Sequence, residues 1–83
     1  MRGDYRIIIQ AQEHVPGELI KPFKEFIKSM PGAEIKQFLP KCKIVCEVKY
    51  NEYRDPQKIA DTISKYMLVD VRAFFKHELI HMI

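Results

Sequence analysis

Apolar residues in this chain recur with a period that changes along its length. A strand turns successive side chains to opposite faces, whereas a helix returns to the same face after about 3.6 residues. Tyr5, Ile7, Ile9 and Ala11 alternate, as a strand with one apolar face does, and Leu19, Ile20, Phe23, Phe26, Ile27 and Met30 then follow at helical spacing. Residues 33–39 and 42–50 alternate again, Ile59, Ala60, Ile63, Tyr66 and Met67 form a second helical stripe, and Val69, Val71, Ala73 and Phe75 close with a last alternation. The resulting order, β-α-β-β-α-β, predicts an α+β fold in which one four-stranded antiparallel sheet carries two helices on one face.

The punctuation agrees with this order. Pro31 and Gly32 end the first helix, and Asp55 followed by Pro56 is an N-cap with a first-turn proline for the second. Pro22 interrupts the first helical stripe, so the reading expects an irregular first turn, with Pro22 inside the first turn of the regular helix. A hairpin turning at Pro40 and Lys41 would set Leu39 opposite Cys42, Gln37 opposite Ile44 and Ile35 opposite Cys46, bringing the apolar positions to one face. Eighty-three residues predict a single domain spanning 1–83, with 77–83 an apolar C-terminal extension.

If one face lies under the helices, the other shows Arg6, Ile8, Gln10, Lys36, Phe38, Lys43, Val45, Glu47, Lys49, Asp70, Arg72, Phe74 and Lys76. Its centre is apolar and its rim basic, as in many protein contacts. Arg6, Ile8, Phe38, Lys43, Val45, Arg72 and Phe74 are therefore the expected partner-binding residues. Single-stranded nucleic acid is an alternative occupant, although the central strands offer Ile8 and Val45 where base-stacking modules carry aromatics. The net charge of +3 would help either acidic partner approach, but fourteen cations interleaved with eleven acids discriminate little.

Cys42 and Cys46 share a strand face about 13 Å apart at ~3.3 Å per residue, too far for a disulfide, and read as small buried hydrophobes in a reducing compartment. No apolar run reaches bilayer-spanning length and no signal-peptide pattern occurs, which predicts a cytoplasmic protein without membrane partners.

One motif is chemical. His77-Glu78-Leu79-Ile80-His81 matches the H-E-x-x-H pattern that holds zinc when a helix brings both imidazoles to one side. A strand running into the motif from Val69 would hold the two histidines about 13 Å apart. A third ligand would have to come from upstream, where His14 and scattered acids stand in no recognisable relation to the motif. His77 and His81 are thus weak metal candidates and a zinc metalloprotease a remote alternative. No nucleophile motif or phosphate-cradling glycine loop occurs, so the reading expects no catalytic residues, no cofactor and no enzyme.

The element order resembles the ferredoxin-like sandwich. Within it, Glu13-His14-Val15-Pro16-Gly17-Glu18-Leu19 resembles the strand-to-helix turn of ACT regulatory domains, and Met30-Pro31-Gly32-Ala33-Glu34-Ile35 the entry to their second strand and that of the related RAM domains. The resemblance covers roughly the first 39 residues and implies a dimerising, ligand-sensing module with Val15, Pro16 and Gly17 near an amino-acid pocket. The leading expectation is a non-enzymatic interaction module, an inhibitor or adaptor that binds another protein. A homodimer is compatible with the last strand lying at a sheet edge.

Overall fold

A computed structural model describes residues 5–40 and 43–76. The expected extension 77–83, with His77, Glu78 and His81, and the position of Cys42 lie outside the described residues.

The elements are β1 (Tyr5–Ala11), α1 (Gly17–Ser29), β2 (Glu34–Pro40), β3 (Ile44–Tyr50), α2 (Pro56–Met67) and β4 (Val71–Phe75). The strands lie in the order β2-β3-β1-β4 and all pairings are antiparallel, which is the ferredoxin-like arrangement. Ile7, Ile9 and Ala11 of β1 and Ile44, Cys46, Val48 and Tyr50 of β3 form one buried cluster with Phe23 and Ile27 of α1 and Ile59, Ala60 and Ile63 of α2. Both helices therefore cover the same sheet face. Each large side chain in this layer contributes about 1.5–3 kcal/mol by leaving water.

Local chemistry explains the helix limits. Asp55 caps α2 by accepting a hydrogen bond from the Gln57 N–H at 3.1 Å, with Pro56 in the first position. Leu68 stops the helix in the left-handed conformation (φ 59°, ψ 37°), its N–H donating to the Ser64 carbonyl at 2.8 Å and its side chain 86% exposed. Asp70 comes next, joined through its carbonyl to the Gln12 N–H and through its N–H to the Glu13 carboxylate, each at 2.8 Å. The last strand consequently starts at Val71, two residues later than the alternation suggests.

Helix α1 also departs from expectation, being regular from Gly17 with Pro22 in its second turn. Proline there removes one N–H and leaves the Glu18 carbonyl without its helical donor. Glu18 and Pro22 are both exposed, so water can take the donor's place. The helix ends in a type II turn, Met30-Pro31-Gly32-Ala33, closed by Ala33 N–H donating to the Met30 carbonyl at 3.1 Å. Gly32 at φ 78° supplies the left-handed position that this turn requires.

The hairpin is the main correction. Pro40 pairs with Ile44, Leu39 with Val45 and Phe38 with Cys46, so the turn is wider than two residues. The ladder then slips at Lys36, between the Gln37–Glu47 and Ile35–Val48 pairs. This bulge places Ile35 and Phe38 on the same face although they are three apart, because the extra residue resets the alternation. Phe38 lies on the helix-covered face, partly buried against the core with the Lys24 ammonium of α1 5.5 Å from its ring centre. Leu39, expected in the core, faces the uncovered side and is 40% exposed.

Candidate functional site

The uncovered face can be built row by row from the register. One row runs Leu39, Val45, Gln10, Arg72 across β2, β3, β1 and β4, and the next runs Gln37, Glu47, Ile8, Phe74. The third runs Glu34, Lys49, Arg6, ending at Lys76, whose N–H donates to the Arg6 carbonyl at 2.9 Å. Leu39 and Val45 are neighbours, Val45 lies diagonally from Ile8, and Ile8 pairs with Phe74. An oblique apolar strip thus crosses the sheet between polar corners.

Glu47 sits against this strip and is only 7% exposed. One carboxylate oxygen accepts from Arg6 Nη1 at 2.7 Å and the other from Lys76 Nζ at 3.0 Å. The Lys76 hydrogen bond, with help from Arg6 and against the cost of burial, holds Glu47 below the usual glutamate range. Both oxygens are engaged, so this carboxylate is an anchor for two cations and poorly placed for proton transfer. At the β2 side, Glu34 bonds Lys36 at 3.1 Å and lies 3.7 Å from Lys49, and these cations lower its pKa. Arg72 lies over the Phe74 ring at 5.4 Å.

Of the expected partner-binding residues, Arg6, Ile8, Val45, Arg72 and Phe74 share this face, and exposed Lys43 stands immediately before β3. Phe38 is absent from it and Leu39 takes its place. Asp70 precedes the strand, which leaves Glu34 and Glu47 as the acids among Arg6, Lys36, Lys43, Lys49, Arg72 and Lys76. Sequence reading placed Glu47 on this face without seeing its ion pairs. The available signal was an acid on a central strand with cations on the face of its neighbours.

The residues singled out by the ACT-like turn are dispersed in their surroundings. Val15 is buried in the core, whereas Pro16 stands at the N-cap of α1 and Gly17 is exposed with open space where a Cβ would stand. A hollow on the helical side lies at the opposite end of α1. Cys46 is a free, buried thiol whose pKa burial pushes up to about 12, which leaves it unreactive. Among the described residues, no three His, Cys, Asp or Glu side chains gather as a metal site, and no helix is long and apolar enough to cross a membrane.

Comparison with known protein families, curated proteins and solved structures yields no match to this chain.

Proposed function

We propose that this chain is a non-enzymatic protein-interaction module, an inhibitor or adaptor, that docks an acidic partner on its uncovered sheet face. The observation that carries this reading is the apolar strip Leu39, Val45, Ile8 and Phe74 crossing a four-stranded face that no helix of the described residues covers, with cations in excess around it. An apolar centre desolvates on contact and supplies affinity, while surrounding charges steer approach and select the partner's sign. Arg6 and Lys76 are already held by Glu47 and lose less freedom on binding than unpaired cations would.

The same geometry favours protein over single-stranded nucleic acid. With Phe38 turned to the helices, Phe74 is the aromatic left among the described strand residues of this face, and a carboxylate sits between the central strands. Base binding relies on successive aromatic platforms and unneutralised cations.

Affinity purification from the native cell, with mass spectrometry, would identify the partner. Val45→Asp and Phe74→Ala, each checked by circular dichroism, should then abolish capture with the spectrum unchanged. Undiminished capture by both variants would remove this face as the site. Binding of RNA that weakens steeply with added salt would move the reading to nucleic acid.

A further inference from the structure

We propose that the hollow between the end of α1 and the start of α2 binds a small carboxylic acid with an apolar body. The hollow has a volume of about 270 Å³, equivalent to roughly nine waters of liquid volume, which suits a molecule of benzoate size. It lies on the helical side, so it is independent of the docking face.

The lining has an apolar floor and a cationic rim. Met30, Pro31, Tyr50 and Ile59 make the floor, and Arg54 and Lys58 stand over it. Arg54 packs over the Tyr50 ring at 5.4 Å, and its Nη2 donates to the Pro31 carbonyl at 3.4 Å, which positions the guanidinium beside the opening. Its carboxylate neighbour is exposed Glu52 at 3.4 Å, a pair too wet to satisfy the charge. Lys58 forms no ion pair with the described residues and occupies the first turn of α2, where the helix dipole disfavours a cation. Asp55 also lines the hollow, one of its carboxylate oxygens accepting the Gln57 N–H that caps the helix. Two cations against this one acid leave the lining with a net positive charge.

Tyr50 adds a second feature. The residue is 1% exposed, and its hydroxyl donates to the Met30 thioether at 3.5 Å, a weak acceptor for a buried donor. Met30 is unbranched and adaptable, so a carboxylate oxygen can replace sulfur as the acceptor after a rotamer change. An apolar hollow with a few convergent polar groups is the usual anatomy of a small-ligand site. A bare phosphate would use the rim and waste the floor. A neutral aromatic would use the floor and waste the rim.

The test is a titration of the ¹⁵N-labelled full chain with benzoate, benzamide and inorganic phosphate, followed by amide chemical shifts. Benzoate should give saturable shifts clustered at residues 30–32 and 54–62. Benzamide and phosphate should each bind about tenfold more weakly or worse, as expected when a charged hydrogen bond or the apolar contact is lost. The Arg54→Gln, Lys58→Gln double variant should lose the preference for acid over amide, and Lys58→Gln alone, which touches no described side-chain partner, should weaken it. Equal binding of benzoate and benzamide, phosphate binding as tight as benzoate, or no saturable shift would each overturn the proposal.

Discussion

On the helix side of β3, Ile44, Cys46, Val48 and Tyr50 are buried beneath α1 and α2, whereas the intervening Val45 and Lys49 face away and remain partly exposed. Glu47 lies on that outer side yet is as buried as a core residue. The inner face is held by non-directional packing, which tolerates apolar side chains of suitable volume and punishes a void. The outer face is held by two charged hydrogen bonds, which tolerate little change of chemistry. A sheet covered on one side can thus stay ordered on the other through one carboxylate that ties β3 to β1 and to the end of β4.

The largest effect that can test this contrast is on the packed face. Phe23→Ala should cost about 3–5 kcal/mol in urea-induced unfolding, because its cavity lies between α1 and the sheet. A loss below about 1 kcal/mol would mean that the layer is looser than its burial implies. Next comes Phe38→Ala, at about 1.5–2.5 kcal/mol for a half-buried ring, set against less than about 0.5 kcal/mol for Leu39→Ala. Equal costs, or the reverse order, would remove the bulge at Lys36 and restore the simple alternation.

Glu47→Gln should cost less, about 1–2 kcal/mol, since Arg6 and Lys76 stay partly in solvent. Its signature is in the pH dependence. The folded pKa of Glu47 lies below the unfolded value, so the contribution is complete above the ordinary glutamate pKa of about 4.3 and fades as pH falls through the lower folded value. Wild type should therefore lose stability on acidification faster than the variant. Parallel curves would show that the triad contributes nothing. Phe74→Ala should cost less again, about 0.5–1 kcal/mol on thermal unfolding, because its face is uncovered, and only Leu39→Ala should cost less than that.

How far the sequence could be read follows from the same contrast. Strands β1 and β3 were legible because their buried and outward residues alternate without interruption, from Ile7 to Ala11 and from Ile44 to Tyr50. The caps of α2 were legible because Asp55 and Pro56 act locally. Strand β2 was misread because Gln37 and Leu39 continue an apparent alternation through the bulge, and a bulge changes phase without requiring a distinctive residue. The outward places of Ile8, Val45, Arg72 and Phe74 follow from strand parity alone. The Glu47 triad does not, because it depends on strand order and register across three strands, which no local pattern encodes.

Leu68 marks a local cost that the chain carries. A leucine held at φ 59° pays a conformational penalty of about 1 kcal/mol while leaving its side chain in water, so it gives back almost nothing in packing. Glycine would meet the backbone demand without that penalty. The fold is therefore below its attainable stability at this turn, and the margin left for a destabilising exchange elsewhere on the molecule is narrower by that amount.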